Sequence, residues 1–266
     1  MLTPTTMQAA SDLLHATWME SGRLDRLPEA SRPSTRAEGY AIQALLERRS
    51  AHPVFGWKIA ATSVAGQKHI GVSGPLAGRL LRERVLPAGQ PFPLRGNLMR
   101  VAEVEFAFAM ARDLAPRPAP YTQEEVLAAV ATLHPAIEVP DSRYADFVHA
   151  GEAQIIADNA CAHLFVLGPA ATAPWRDLDL AAFEVAVRHE RAGKPTTLTG
   201  RGSNVLGDPR IGLTWLANEL SGLGITLARG QVITTGTCLV PIDVLPGDGV
   251  SADYGPLGSI AVRFVD

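Results

Sequence analysis

The stretch RVAEVEFAFAM, residues 100–110, constrains this chain more than any other. Its residues alternate with a period of two, the pattern of a β-strand with two unlike faces. Val104, Phe106, Phe108 and Met110 share one face, which needs a core against it. Glu103, Glu105, Ala107 and Ala109 share the other, which is lined with small residues and two acids and so leaves room for something. Two ionised carboxylates a few ångströms apart in a dry site repel each other. One of them takes up a proton, or a cation sits between them. The plain alternative is a solvated edge or outward face, the commoner fate of such a pair.

Two further positions repeat the anomaly. HPAIEVPDSRY carries Glu138 just inside a short apolar strand, and GWKIAATS carries Lys58 inside another. Three carboxylates around one divalent cation leave a negative balance that a nearby lysine offsets. Mg²⁺ and Mn²⁺ take carboxylate oxygens in octahedral geometry and keep waters or substrate oxygens in the remaining positions. The bland readings are an ion pair between Glu138 and Arg143 and a Lys58 that snorkels out of a half-buried strand.

The chain's organisation fits a mixed fold. With 266 residues, 47% of them hydrophobic, the chain is long enough for one large core, or one main domain with a smaller addition. Residues 6–21 have helical spacing in Leu13, Leu14, Trp18 and Met19; residues 35–51 return to helix with Thr35 and Glu38 as a capping box. Residues 1–50 therefore read as a small helical N-terminal region, and residues 51–266 as the metal-binding catalytic domain. Helices are also expected over YTQEEVLAAVATL, with Thr122 as N-cap, and over DPRIGLTWLANELSGLG, while AQIIADNACAHLFVLG reads as a helix running into a strand. TLTGRGSNVLGDP matches neither a dinucleotide fingerprint nor a phosphate-binding loop and reads as a loop, from which Ser203 and Asn204 could face a pocket. The last forty residues place short strands close together without intervening helices, which excludes a regular βαβ alternation and points to a curved or barrel-like α+β sheet.

A net charge of −3 gives no basic field for nucleic acid. No apolar run is long enough for a membrane span, and the N-terminus lacks the basic and apolar regions of a signal peptide. Cys161 and Cys238 cannot form a disulfide framework and read as buried free thiols in the reducing cytoplasm.

Taken together, RPSTRAEGYAIQ, GWKIAATS, AEVEFAFAM, AIEVPDSRY, IADNACAHLFVLG, GSNVLGDPRIGLTWLANEL, GQVITTGT and PGDGVSADYGPLGSIAVRF resemble the fumarylacetoacetate hydrolase superfamily. The chain is most similar to its 2-keto-4-pentenoate hydratase and 4-oxalocrotonate decarboxylase group. The resemblance implies a mixed β-sandwich roll and a Mg²⁺ or Mn²⁺ ion held by Glu103, Glu105 and Glu138. It implies a catalytic Lys58, and substrate-binding roles for Asp158 and Asn159 of the ADN element and for Thr235, Gly236 and Thr237 of the TGT turn. It also implies a small 2-keto acid substrate and a homodimer or higher homo-oligomer.

The implied function is a metal-dependent lyase, first a hydratase of 2-hydroxydienoic acids. A decarboxylase of the 4-oxalocrotonate type, an acylpyruvate C–C hydrolase and a keto–enol tautomerase use the same scaffold. A non-catalytic binding or assembly homologue is the alternative from another class, and the retained acids and lysine argue against it. Lys58 is expected either to carry a proton with a lowered pKa or to pair with the substrate carboxylate. One departure stands out: many hydratases of the group read GV-x-x-PD-(F/Y)-G, whereas this chain has GVSGPLAG, with Leu76 at the acidic position and Ala77 at the aromatic one. His134 reads as a packed or capping histidine, with a supporting role beside Glu138 as the alternative. His69 reads as an exposed or substrate-lid residue.

Overall fold

A computed structural model describes residues 1–266. Six α-helices, Pro4–Met19 (α1), Arg36–Ala44 (α2), Val64–His69 (α3), Gln123–Ala128 (α4), Glu152–Ala157 (α5) and Pro209–Gly222 (α6), surround two sheets. The strands are Gly56–Ala60 (β1), Leu76–Leu80 (β2), Val85–Leu86 (β3), Phe92–Pro93 (β4), Val101–Met110 (β5), Val130–Val139 (β6), Leu164–Leu167 (β7), Glu184–Arg191 (β8), Lys194–Arg201 (β9), Val232–Thr237 (β10), Ile242–Asp243 (β11), Gly249–Asp253 (β12) and Ser259–Val265 (β13). One sheet runs β2-β1-β10-β5-β6-β7-β3, with β11 also on β5; the other runs β4-β13-β12-β8-β9. Most pairs are antiparallel, and β1–β10, β3–β7 and β4–β13 are parallel. The α+β sheet arrangement inferred from closely spaced strands is present, as is the mixed roll that the resemblance implies.

The two faces of β5 explain the layering. Val104, Phe106, Phe108 and Met110 are buried in one core with Val185, Val187, Val250, Ile260, Val262 and Phe264 of the second sheet. Phe106 meets Tyr254 edge-on at 5.1 Å and Phe183 edge-on at 6.1 Å. Burying a side chain of that size contributes about 2–3 kcal/mol. The opposite face carries Ala107, which packs with Ala136 of β6, Val232 of β10 and Phe165 of β7. Beside these small side chains stand the acids.

The N-terminal region is helical as expected. Thr3 caps α1, whose Ala10 and Leu14 pack with Ile42 of α2 and with Tyr144 and Ala157 from the rest of the chain. Thr35 caps α2, but only half of the expected box forms. The Glu38 carboxylate accepts instead from Ser34 and from the Leu2 backbone, tying the N-terminus to α2. Thr122 and Glu125 form a complete box on α4.

Two expectations fail. The α4 helix stops at Ala128, because Val130 onward pairs with β5 as β6. Val126, Val130 and Leu133 fit a helical face and a buried strand equally well, and the β5 partner decides. The segment TLTGR is strand β9, which pairs with β8 through Arg201↔Glu184, and only the following residues form the loop.

Candidate metal centre

The register of the first sheet assembles the acids. Glu103 on β5 stands opposite Glu138 on β6, and Glu105 lies two residues along on the same face of β5. One oxygen from each carboxylate lies within 4.8 Å of the others. Glu105 and Glu138 are fully buried, whereas Glu103 is partly exposed, so the site opens to solvent on the Glu103 side.

Each acid is held differently. On Glu105, Oε2 accepts from the Thr234 hydroxyl and, at 2.8 Å, from the Gly236 backbone N–H. That second bond depends on a bulge in β10 between Thr234 and Thr237. Gly236 sits there at φ 98°, and a Cβ on it would lie 2.1 Å from the Thr62 hydroxyl oxygen, so only glycine fits. From the other sheet, Tyr254 donates to the Glu105 carbonyl at 2.7 Å and fixes the strand itself.

Lys58 comes from β1, between Thr234 of β10 and Gly78 of β2. Its ammonium lies 3.2 Å from Glu138 Oε2 and donates to the Ala160 carbonyl at 3.2 Å. The approach to Glu138 is an ion pair without hydrogen-bond alignment. Oε1 of Glu105 and both carboxylate oxygens of Glu138 are thus buried with no hydrogen-bond donor. Buried polar atoms are nearly always satisfied, and three orphaned carboxylate oxygens within one cluster of acids fit a divalent cation. Oxygens sharing one Mg²⁺ or Ca²⁺ lie at most about 4–5 Å apart, and hard oxygen donors are what these ions prefer.

The electrostatics agree. Burial, the largest influence, raises the pKa of both Glu105 and Glu138; neighbouring carboxylates raise them further, and Lys58 works the other way. For Lys58 burial is again the largest single influence and acts downward, but the charges of Glu138, Glu103 and Glu105 outweigh it and the net direction is upward. The expected lowering of its pKa is therefore corrected for the metal-free site, where Lys58 is a charged partner of Glu138.

A carboxyl that holds its proton more tightly in the folded state costs stability as pH rises through its ordinary value toward the raised one. Buried His163, held near 3 chiefly by burial, acts the other way as pH rises toward its ordinary value of 6.5, so Glu105 is best isolated by difference. In a chelating buffer, the melting temperature of Glu105→Gln minus that of the parent will widen as pH rises from about 5 to about 8. A constant or narrowing gap would show that Glu105 is not the strained carboxyl.

The remaining expected site residues divide. Thr235 donates to the Phe106 carbonyl at 3.0 Å, and Thr237 donates to the Leu239 carbonyl at 2.7 Å from a half-buried position beside Glu105. The Gly236 N–H serves Glu105, where a substrate carboxylate was expected. Asp158 and Asn159 are not free for substrate either. The Asp158 carboxylate accepts from Ser142, the Arg143 backbone and the Arg143 guanidinium. The Asn159 amide is consumed by the Arg79 backbone. Arg143 thus belongs to Asp158, which removes the bland reading of Glu138. His134 is the packed histidine expected, bound through both ring nitrogens to Thr132 and the Gly168 carbonyl. Asn204 braces the Cys238 carbonyl rather than facing a pocket. Cys161 and Cys238 are free and buried, and burial pushes both thiols up to about 12, which excludes a resting thiolate nucleophile. Sequence reasoning missed Thr234 and Tyr254. Thr234 was visible as the residue whose side chain alternates onto the Glu105 face, two before Gly236.

The family model described as fumarylacetoacetate (FAA) hydrolase C-terminal matches residues 52–265. The chain belongs to that family. A family relative, the 2-keto-4-pentenoate hydratase of Paraburkholderia xenovorans (strain LB400), is 32% identical over 267 residues, covering 99% of this chain and 96% of the relative. A 4-oxalocrotonate decarboxylase of Pseudomonas putida is 32% identical over 235 residues, covering 87% of this chain and 86% of the relative. Among solved family structures, 4-oxalocrotonate decarboxylase from Pseudomonas putida G7, complexed with magnesium and adipate, has a TM-score of 0.87 at 27% identity and covers 100% of this chain and 99% of that one. The same enzyme complexed with calcium and acetate gives a TM-score of 0.85. The resemblance and the fold expected from it are both borne out. No helix is long and apolar enough to cross a membrane.

Proposed function

We propose that this protein is a divalent-metal-dependent lyase of small 2-keto or 2-hydroxydienoic acids, a hydratase of the 2-keto-4-pentenoate type. The observation that carries the reading is the set of three orphaned, buried carboxylate oxygens beside a buried lysine. Glu103, Glu105 and Glu138 would hold Mg²⁺ or Mn²⁺, which supplies a Lewis acid for the keto and carboxylate oxygens of the substrate.

The chain's own residues do the rest. Thr234 and Gly236 orient Glu105, and Tyr254 fixes its strand. Burial of Glu105 and Glu138 keeps bulk water from all but the Glu103 side. Lys58 is the proton carrier: its Nζ gives up or takes back the proton that moves when a dienol ketonises. Water then adds at C4. Of the TGT turn, Thr237 is the residue left half-buried beside Glu105, and its hydroxyl would have to release the Leu239 carbonyl to donate to substrate.

A second reading, decarboxylation of a 4-oxalocrotonate-type acid, draws on one observation. Leu76 is fully buried on the face of β2 that carries Gly78 next to Lys58, so this position supplies no carboxylate for water addition. Both readings place the enzyme in the reducing cytoplasm, which the two free buried thiols support, and as a homo-oligomer.

Chelator-treated protein, titrated with Mg²⁺ or Mn²⁺, will melt at higher temperature, and a hundredfold excess over Kd will add about 2.7 kcal/mol. The ultraviolet absorbance of 2-hydroxypenta-2,4-dienoate will fall only with metal present. Loss of CO₂ from 4-oxalocrotonate without hydration of the dienoate would select the second reading. Protein that binds metal yet turns over no 2-keto or 2-hydroxydienoic acid would overturn both.

A further inference from the structure

The turn after α5 is the one place where three consecutive non-glycine residues have positive φ. Asn159, Ala160 and Cys161 stand in succession at φ 56°, 49° and 61°, all of them buried. Asparagine visits this left-handed region readily, whereas alanine and cysteine adopt it only where their surroundings over-determine it. The product of the turn is the Ala160 carbonyl, which accepts the Lys58 ammonium.

Three holds converge on it. The Asn159 side chain pairs with Arg79 as a neighbouring strand would: Oδ1 accepts the Arg79 N–H at 2.7 Å and Nδ2 donates to the Arg79 carbonyl at 2.9 Å. Asp158 anchors the entry to the turn on Ser142 and Arg143. The Cys161 carbonyl accepts the Asp141 N–H at 2.9 Å and anchors the exit. Across the gap, Gly78 admits both the turn and the lysine. A Cβ there would lie 2.4 Å from the Asn159 carbonyl oxygen and 3.0 Å from Lys58 Cγ.

We infer that Asn159 is a positioning residue for Lys58. Its two bonds to Arg79 set the 159–161 turn, and the Ala160 carbonyl then fixes where the ammonium stands relative to Glu138. An ammonium has three donors; the Ala160 carbonyl takes one, Glu138 stands beside it as an ion-pair partner, and donor capacity is left for substrate. The inference rests on the reading of Lys58 as proton carrier and extends it, because Asn159 acts without touching substrate.

Asn159→Gly deletes both bonds while tolerating the backbone angle, and Gly78→Ala presses on the same turn from the other side. The chain has three lysines, Lys58, Lys68 and Lys194, and the last two are exposed. Nitrogen-15 lysine labelling therefore gives three side-chain resonances, with that of Lys58 identified by its loss in Lys58→Met. In both variants the Lys58 resonance will move while Mn²⁺ affinity stays within about threefold of the parent. The kcat will fall about 100-fold, as small misplacements of a reacting group do, and KM will change by less than about threefold. A merely structural role lowers the melting temperature and leaves the Lys58 resonance and kcat in place, and that result overturns the inference. A moved resonance with unchanged kcat upholds the positioning and overturns Lys58 as proton carrier. Should Asn159→Gly fail to fold, Asn159→Asp, which keeps the bond from the Arg79 N–H and loses the donation to the Arg79 carbonyl, decides by the same two readings.

Discussion

Lys58→Met will abolish turnover while leaving a protein that still binds metal. Removing a positioned proton carrier costs about 10²- to 10⁴-fold in kcat, and KM should change little because the carboxylates that would hold the metal and substrate oxygens remain. Stability will respond in a way a surface lysine would not produce. Lys58 is 3% exposed and its partner Glu138 is fully buried. Breaking a buried ion pair by removing one member costs about 3–5 kcal/mol, because it strands the other charge. Here Glu138 can relieve the strain by taking a proton, so about 2–4 kcal/mol is expected in chelating buffer. A divalent cation supplies the missing positive charge, so Mg²⁺ will raise the melting temperature of the variant more than that of the parent. Retention of more than about a tenth of kcat, or a higher metal-free melting temperature than the parent, would remove Lys58 from its central place.

How much of this was legible beforehand depended on how far each interaction reaches along the chain. The two faces of β5 were legible because strand periodicity is local. Val104, Phe106 and Phe108 had to face a core, and Glu103 and Glu105 had to share the other side. Glu138 and Lys58 were legible as charges embedded in apolar strands, an arrangement with few structural uses. The β5–β6 register that brings Glu103 opposite Glu138 was not, since pairing register is a property of two strands together. The length of α4 failed for the same reason: its apolar spacing suits a helix until β5 offers Val130 a partner. Strand β9 went unread because it is an edge strand with mostly exposed threonines and lacks the apolar alternation that reveals inner strands. The ADN element is the instructive case. Its carboxylate and amide look available in sequence, but Arg143 and Ser142 consume one, and the backbone of Arg79, eighty residues earlier, consumes the other. Burial alone would lower the Lys58 pKa, but the carboxylates that the register collects around it reverse the direction.

Glu105→Gln will make the metal-free protein more stable and the enzyme inactive, and the opposite signs are the test. The glutamine oxygen can accept the same two bonds that Thr234 and Gly236 now give to Oε2. Its amide then stands where Oε1 is buried without a donor, and an N–H there can donate to the neighbouring carboxylates. The substitution keeps shape, removes a carboxyl whose ionisation is opposed by burial and by its neighbours, and places a donor where the ionised form leaves an orphaned acceptor. Relief of like-charge repulsion and of an unsatisfied buried oxygen contributes about 1–3 kcal/mol. For a chain of this length that is roughly 2–12 °C in melting temperature, at about 2–4 °C per kcal/mol. The same change removes one of the three carboxylates proposed to hold the cation, and the surrounding apolar strands offer no replacement. The rise in melting temperature that Mg²⁺ gives the parent should therefore vanish, and turnover should fall by about 10³-fold or more, since the substrate loses its Lewis acid. Proteins commonly carry such strain where activity needs it and gain stability when the functional group is removed. A variant less stable than the parent in chelator, or one that keeps the Mg²⁺ response, would mean that Glu105 is a structural acid and that the cluster does not hold a cation.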